Sequence, residues 1–263
     1  MWAWPWLLLP LVCGLTVIPL PAYGSNRTER GVVWPLVKGS VWTYAGIVEW
    51  TEPSAADVHT TPVTWNMEVV DVIETPGLTA ATLKGHPKDL AWYKPGKDRG
   101  DYLLMRVGAS GTERYYLLEG QQRVEQARAQ LRAGQRIGLV SEQELILDWP
   151  LIPGKTFGET EQLTRDDLWY VWVVEEERSL APNERRFRGA DQLPTSLLCY
   201  HLAFRTFPDH QFVDVVPGLG ITRYVYGHHG TVSNVDVHLV AYHPGMAGAG
   251  EDEYNTWRGV IAR

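Results

Sequence analysis

Cysteine is nearly absent from this chain of 263 residues, which contains only Cys13 and Cys199. Cys13 lies in an apolar N-terminal segment that we predict is removed, so Cys199 would remain alone and no internal disulfide could form. The fold must then be stabilised by its core. Because Leu197-Leu198-Cys199-Tyr200 has the character of a strand, we expect Cys199 to be a buried and unreactive thiol.

Basic charge and catalytic signatures are also scarce. The chain has 24 Lys and Arg against 31 Asp and Glu, a net charge of −7, which favours solubility and argues against nucleic-acid binding. Gly108-Ala109-Ser110-Gly111 lacks the flanking pattern of a nucleophile elbow. Gly227-His228-His229-Gly230 is not followed by the Lys-Ser/Thr of a phosphate-binding loop. We therefore predict no catalytic residue and no cofactor, and enzymatic activity is the less favoured hypothesis.

Long apolar runs are confined to the N-terminus. Residues 7–20 are almost wholly apolar, and Ala22-Tyr23-Gly24 presents small residues at the two positions read by a signal peptidase, which predicts a signal peptide over residues 1–24. No Lys or Arg precedes the apolar run, so a retained membrane anchor is the alternative, although three prolines argue against a long spanning helix. Cys13 lacks the preceding small residue that lipidation usually requires. We predict export to the periplasm, cell surface or medium, with a mature form that is close to the membrane and does not span it.

A motif built from tryptophan, proline, leucine and glycine occurs twice. Trp34-Pro35-Leu36-x-x-Gly39-x-x-Trp42 returns as Trp149-Pro150-Leu151-x-x-Gly154-x-x-Phe157, and each position is displaced by the same 115 residues (149 − 34). The constant displacement suggests one structural unit used twice, with chance similarity as the alternative. In each copy we expect an extended approach, a turn at the glycine, and an aromatic ring that enters the core at the start of the next strand.

Most of the remaining chain has the alternation and spacing of β-strands. Residues 64–73 alternate apolar and polar side chains, and residues 51–61 are a polar loop. The other predicted strands are residues 41–50, 79–83, 102–107, 114–118, 167–175, 196–206, 211–216, 221–226 and 235–242. One amphipathic helix is predicted over residues 120–133, with Gly134 as its stop. Phe207-Pro208-Asp209-His210 is predicted to be a hairpin turn, and Pro217-Gly218 to be a type II turn.

These elements predict a mainly β fold with one short helix. The strands would form two curved antiparallel sheets from a possible internal duplication, or one open half-barrel. The predicted organisation is a first β half at 25–119, a helical connection at 120–134, a second β half at 135–244 and a loosely ordered tail at 245–263.

The motifs together resemble an uncharacterised group of bacterial exported proteins. Members of that group carry a Pro-Leu-x-x-Gly-x-x-Trp-x-Tyr motif and a late Pro-Gly-x-Gly-aliphatic turn. In this chain these are Pro35-Leu36, Gly39, Trp42, Tyr44 and Pro217-Gly218-Leu219-Gly220-Ile221. The resemblance implies a β-rich envelope or secreted domain and brings no catalytic residue with it. The second copy departs from the pattern, with Phe157 for Trp and Glu159 for Tyr.

Histidines are concentrated late in the chain, at positions 201, 210, 228, 229, 238 and 243. A zinc site needs three or four converging ligands, usually with a recognisable close pair. His228 and His229 are adjacent and would point apart on an extended chain, so exposed turn histidines are the favoured interpretation. The trio predicted for a metal site, if one exists, is His228, His238 and His243.

Aromatic residues are the strongest remaining signal, because nine of twelve tryptophans follow residue 24. Trp169-Tyr170-Val171-Trp172 would place large rings on both faces of one strand, and Ala91-Trp92-Tyr93 leads into a loop. Such rings fill a β core or line a groove for a sugar, lipid or peptide, and core packing is the favoured interpretation. The candidate ligand-binding residues are Trp92, Tyr93, Trp169 and Trp172.

Three classes of function remain open. The leading hypothesis is a non-catalytic exported envelope protein that acts as a binding or structural module, in its sharper form one that holds a hydrophobic ligand. The second is a carbohydrate-binding or carbohydrate-active protein that uses exposed rings and acidic residues. The third is an enzyme of unknown chemistry, for which carboxylates at Asp166-Asp167 and residues 175–177 would have to face each other across a cleft about 5–10 Å wide.

Overall fold

A computed structural model of the chain describes residues 33–245, except 53–56, 110, 136–137, 139, 141–142, 160–161, 182, 186, 191–192, 194–196 and 231–232. The predicted signal peptide and the tail beyond residue 245 therefore lie outside the described residues. Among the described residues, no helix has both the length and the apolar character needed to cross a membrane.

The described chain forms one antiparallel sheet of twelve strands. In chain order these are β1 (Val41–Trp50), β2 (His59–Thr75), β3 (Leu78–Lys84), β4 (Asp101–Val107), β5 (Arg114–Glu119), β6 (Glu144–Asp148), β7 (Thr156–Phe157), β8 (Trp172–Ser179), β9 (Leu198–Arg205), β10 (Asp209–Val216), β11 (Gly220–His228) and β12 (Ser233–His243). The helix α1 spans Gln121–Arg132, and short 3₁₀ helices span Pro87–Trp92 and Gln162–Thr164. A mainly β fold with one short α-helix is therefore confirmed.

The sheet consists of two six-stranded meanders that join along β1 and β12. Its strand order is β6-β5-β4-β3-β2-β1-β12-β11-β10-β9-β8-β7, so β6 and β7 are the two edges. The edges approach each other, because Lys155, just before β7, donates to the backbone oxygens of Asp148 and Pro150. Of the two predicted arrangements, the molecule has the single curved, nearly closed sheet. β6 pairs with β5 although it follows α1, so the first meander extends past the predicted helical connection.

The two copies of the repeated motif form the same turn. Gly39 and Gly154 have φ angles of 85° and 86°, which glycine adopts without steric cost. Gly39 N donates to Val69 O, and Gly154 N donates to Val174 O. Ser40 N and Lys155 N each donate to the carbonyl three residues earlier, and the carbonyl oxygens of Ser40 and Lys155 accept from Val69 N and Val174 N. A bulge follows that valine in both strands, β2 and β8. The twofold similarity therefore extends from the motif into the next strand.

The concave face of the sheet encloses the main core. Its largest fully buried side chains include Trp34, Trp42, Tyr44, Tyr115 and Tyr224. The buried indole and phenol groups find backbone acceptors across the core: Trp42 Nε1 donates to Leu219 O and Tyr44 Oη to Ile221 O. A Cβ at Gly220 would lie 2.7 Å from Trp34 Nε1, so this position requires glycine. The predicted turn is confirmed, since Gly218 has φ 82° and Leu219 N donates to Val216 O.

A second, smaller core lies on the convex face of β3–β5. Val124, Ala127 and Leu131 recur at helical spacing on α1 and pack on apolar side chains of these strands. The helix begins one residue after Gly120 and ends one residue before Ala133, as expected from its sequence. Arg128 and Arg132 both bind Asp71 of β2 at 2.7 Å, which ties the polar side of the helix to the sheet.

Several predicted boundaries were wrong. The strand predicted over residues 167–175 begins at Trp172, because Leu168 and Tyr170 have positive φ angles of 57° and 62° and belong to a turn. The supposed polar loop at 51–61 overlaps β2, which starts at His59. Strands β6 and β7 were not predicted, because they are short and lack a clear alternation. The strand predicted to start at Ser196 begins at Leu198, and residues 194–196 lie outside the described part.

Candidate functional site

Six ring-bearing residues line one end of the sheet, and we call them the aromatic row. In spatial order they are Trp92, His228, His229, His210, Trp169 and Phe207. Antiparallel neighbours bring them together, since this end holds the connections β3–β4, β7–β8, β9–β10 and β11–β12. The row is thus assembled from four connections and from the strand ends of β10 and β11 next to them.

Ring contacts join these residues in two groups, Trp92 with His228 and His229 with His210, Trp169 and Phe207, and the two groups are linked because His228 and His229 are adjacent in sequence. Trp92 meets His228 edge-on at 5.8 Å between centroids, and His229, the next residue, meets His210 at 4.4 Å. Trp169 lies 5.9 Å from His210 and 5.0 Å from Phe207. Trp92 is 64% exposed and Phe207 is 72% exposed, whereas Trp169 and His210 are half-buried. Large apolar rings are thus presented to solvent at both ends of the row.

Local hydrogen bonds hold Trp92 in place. Its 3₁₀ helix begins after His86, whose Nδ1 accepts from Lys88 N at 3.1 Å. The carbonyl of Ala91 accepts from the Ser233 hydroxyl of β12, which ties the end of this helix to the sheet. Trp92 therefore projects from a fixed backbone, and the centroid of its ring lies 6.2 Å from that of the Tyr226 ring.

The turn before β8 positions Trp169 in a similar way. Asp167 accepts from Trp169 N and is held by two bonds from Arg165, which lowers the pKa of this carboxyl. Tyr170 N donates to Arg205 O, and Tyr170 Oη accepts from Phe207 N. The positive φ of Tyr170 is thus stabilised by two bonds to the neighbouring chain segment.

Three of the four predicted ligand-binding residues lie at this end with a solvent-accessible side chain. Trp92 and Trp169 belong to the row, and half-buried Tyr93 follows Trp92. Trp172 is instead a core residue, stacked on Phe157 at 6.4 Å and packed against Phe204. Phe207 and His210 were not predicted as site residues. The hairpin signal Phe207-Pro208-Asp209-His210 placed them in a turn, and an exposed Phe in such a turn was the available clue.

Inside the sheet, beside edge strand β6, lies a small cavity of about 30 Å³. Among the residues that line it, Trp34, His86 and Trp172 each have a buried ring nitrogen with no partner among the described residues. Burial, reinforced by the nearby Lys88 charge, lowers the pKa of His86 to about 3, so this ring is neutral. A buried donor that lacks a hydrogen-bond partner lowers the stability of the fold by about 1–3 kcal/mol. We call this space the seam cavity; it is small, and its wall is partly polar because of the three ring nitrogens.

The convex face of the second meander carries a network of ion pairs. Asp214 Oδ1 lies 2.6 Å from His201 Nδ1, and this hydrogen bond raises the pKa of His201. Arg178 binds Glu184 through two bonds of 2.7 Å and lowers the pKa of that carboxyl. Arg223 binds Asp236 in the same bidentate manner. Glu184, Asp214, Arg223 and Asp236 line an open groove of about 610 Å³, and each of the three carboxylates is held by an arginine.

A general acid in such a groove would need a raised carboxyl pKa, which is the opposite of the shift found at Glu184. The single thiol of the described chain offers no nucleophile either. Cys199 is fully buried, as predicted, and burial raises the pKa of its thiol to about 12. The groove therefore has the character of a paired, structural charge network.

The predicted metal trio is not brought together. His228 ends β11 beside Trp92, whereas His243 ends β12 at the opposite end of the sheet. His238 is five residues before His243 on the same strand, about 16 Å away at the rise of a β-strand. Across the described residues, no group of three or more His, Cys, Asp and Glu side chains is arranged to hold a metal ion. The prediction failed because late position in the sequence does not bring the two ends of a strand together.

Two solved structures are similar to this chain. One is a Bacteroides fragilis protein described as a candidate exported protein with a YmcC-like fold, at 9% identity and a TM-score of 0.37 over 81% of this chain and 99% of that one. The other is a candidate lipoprotein from Parabacteroides distasonis, at 9% identity and a TM-score of 0.32 over the same shares. No protein-family model and no curated protein matches the chain. A sequence identity of 9% and TM-scores below 0.5 identify no family for this chain.

Proposed function

We propose that this protein is an exported, non-catalytic binding module of the bacterial envelope and that its aromatic row binds carbohydrate. The observation that carries the proposal is the row itself, with Trp92 and Phe207 exposed at its two ends. Large exposed apolar side chains grouped on one surface of a soluble protein commonly mark a binding site. The apolar N-terminal segment of residues 1–24 supports export.

The polarity of the row favours a sugar over a purely apolar ligand. Sugar rings present C–H faces that pack on aromatic rings and hydroxyl groups that need hydrogen-bonding partners. The row supplies both, because its three histidines lie between Trp92 and the Trp169–Phe207 pair and the Arg165–Asp167 pair lies next to Trp169. The net charge of −7 favours a neutral polysaccharide over an acidic one.

A hydrophobic ligand inside the sheet is the second candidate, and the size of the cavity argues against it. The seam cavity measures about 30 Å³. Pockets that enclose a small-molecule ligand measure roughly 300–1,000 Å³. An acyl chain would therefore have to displace core side chains such as Trp172.

Affinity electrophoresis of the mature chain tests the proposal. Native gels would contain dextran, galactomannan, mixed-linkage β-glucan or alginate, and retardation would be compared between the wild type, Trp92→Ala and Phe207→Ala. Both substitutions are at exposed positions, so folding should be kept. Loss of one ring that packs on the sugar should weaken binding by about 1–3 kcal/mol, roughly 5- to 150-fold.

Ile152→Ala is the matched control, because Ile152 is an exposed apolar residue in the connection between β6 and β7, at the other end of the sheet. We expect it to be retarded like the wild type by a neutral polysaccharide. Retardation by none of the four polysaccharides would contradict carbohydrate binding. Equal retardation of Trp92→Ala, Phe207→Ala and the wild type would contradict the location of the site.

A further inference from the structure

Three residues that line the seam cavity each carry a buried ring nitrogen without a hydrogen-bond partner among the described residues. Trp34 Nε1 and Trp172 Nε1 are N–H donors, and neither finds an acceptor among the described residues. His86 contributes a third donor, because its Nδ1 accepts from Lys88 N and its neutral ring must then carry the proton on Nε2. His86 Nε2 is also buried and without a partner in the described part of the chain.

These donors belong to three separate elements around one cavity. Trp34 precedes β1, His86 caps the 3₁₀ helix, and Trp172 begins β8. All three side chains are more than nine-tenths buried. The side-chain oxygens of the lining belong to Gln211 and Tyr224, which contact each other at 3.4 Å, and to Glu144, whose carboxylate is bound by Lys88 Nζ at 2.9 Å. The lining is therefore suited to an occupant that accepts hydrogen bonds.

A surface pocket of about 180 Å³ provides access to the cavity. The two spaces share three lining residues, Lys88, Leu117 and Glu144. Lys88 Nζ binds Glu144 Oε2 at 2.9 Å and lies 3.7 Å from Glu119 Oε2, so an ion pair lies where the two spaces meet. Entry of a solute of two or three heavy atoms would require the lysine side chain to change rotamer.

We propose that the seam cavity is a binding site for a small carboxylate, which the ring N–H groups of Trp34, His86 and Trp172 would hold through its two oxygens. A carboxylate accepts hydrogen bonds and donates none, so it matches three donors. The volume of about 30 Å³ exceeds the roughly 10–15 Å³ that one water needs, so it suits a head group the size of formate. This site is separate from the aromatic row and does not depend on carbohydrate binding.

Indole N–H resonances of the mature chain, labelled with ¹⁵N at tryptophan, test the site with sodium formate as the ligand. The signals of Trp34 and Trp172 are assigned from Trp34→Phe and Trp172→Phe, which keep an aromatic ring and remove the N–H group. We expect saturable shifts of both signals with formate, none with sodium chloride at equal ionic strength, and no shift of exposed Trp92.

Trp50→Phe is the matched control, because Trp50 Nε1 is also buried and unpartnered in the described structure but does not line the cavity. Loss of one hydrogen bond to a charged ligand should weaken formate binding about tenfold or more in Trp172→Phe and leave it unchanged in Trp50→Phe. Unsaturable or absent shifts in the wild type, which would mean that water alone occupies the cavity, overturn the proposal even if a variant fails to fold. Equal shifts with chloride overturn it as well.

Discussion

The two six-stranded meanders share their first turn and their interior but differ on the convex face. In the first meander, α1 covers the convex face of β3–β5 with a second apolar core. In the second, the convex face carries the ion pairs around Asp214, Arg178 and Arg223. The connection β5–β6 contains α1, whereas the corresponding connection from β11 to β12 is short.

This difference shows which face of a curved sheet is constrained. The concave face must be apolar along all strands because it encloses the core, so both meanders keep it. The convex face can be covered or solvated, and its side chains vary accordingly. The aromatic row belongs mainly to the second meander, where β7–β8, β9–β10 and β11–β12 connections meet, with Trp92 added from the first.

The largest expected effect concerns the helix-covered face. Leu131→Ala removes a buried side chain of α1 from the second core and should lower the free energy of unfolding by about 2–5 kcal/mol. Leu198→Ala, at an exposed position of β9 in the second meander, should change it by about 0.5 kcal/mol or less. Urea unfolding of both variants makes the comparison. Equal unfolding midpoints would contradict the view that the helix stabilises the first meander.

The next effect concerns the pH dependence of stability. The pKa of His86 is lowered from 6.5 to about 3, so the unfolded chain binds a proton in this range that the folded chain does not. The stability from this group is present above pH 6.5 and is lost as the pH falls toward 3, by up to about 1.4 kcal/mol per pH unit. His86→Asn, which keeps an acceptor for Lys88 N, should remove this slope in urea unfolding measured between pH 7 and pH 4.

His201, on the convex face, provides a control of opposite sign. Its pKa is raised by the hydrogen bond to Asp214, so its contribution is present below pH 6.5 and is lost as the pH rises through the folded pKa. Partial exposure of the ring reduces this contribution through solvent screening. His201→Gln should therefore leave the acid slope intact. The assignment of this pH dependence to His86 would be contradicted if the free energy of unfolding no longer fell between pH 7 and pH 4 in His201→Gln. It would also be contradicted if the fall persisted unchanged in His86→Asn.

The smallest effect concerns the turn that the meanders share. Gly39→Ala and Gly154→Ala each force a residue with a Cβ into a positive φ, which costs about 1–2 kcal/mol. A Cβ at Gly154 meets no atom within 4 Å, so the cost there comes from the backbone conformation. Gly154→Asn should cost less, since Asn tolerates this conformation better. Thermal unfolding should show similar losses for both alanine variants, and a large loss in only one would contradict the equivalence of the two turns.

The sequence predicted local structure better than long-range pairing. The apolar spacing of α1 and the alternation of β12 can be read from single segments, and both elements were found close to the expected positions. The aromatic run before β8 misled the prediction, because strand propensity does not report the positive φ of Leu168 and Tyr170. β6 is only five residues long and is defined by its pairing with β5.

The candidate site was harder to predict for a related reason. Trp92 and Trp169 could be chosen from composition, but their common surface depends on the pairing of β1 with β12, which joins the first described strand to the last. Trp172 was assigned to the same group because it follows Trp169 closely, yet a turn separates their environments. The seam cavity needs Trp34, His86 and Trp172 together, and no local pattern connects these positions.

Hydroxyl-radical footprinting of the mature chain, with and without the neutral polysaccharide that retards it in the gel, tests whether the aromatic row is the binding surface. We expect oxidation of Trp92 and Phe207 to fall on binding, while oxidation of exposed Ile152 and Leu198 stays the same. Protection confined to other surfaces, such as the groove beside Asp236, with Trp92 and Phe207 still fully oxidised, would contradict the assignment of the aromatic row as the binding site.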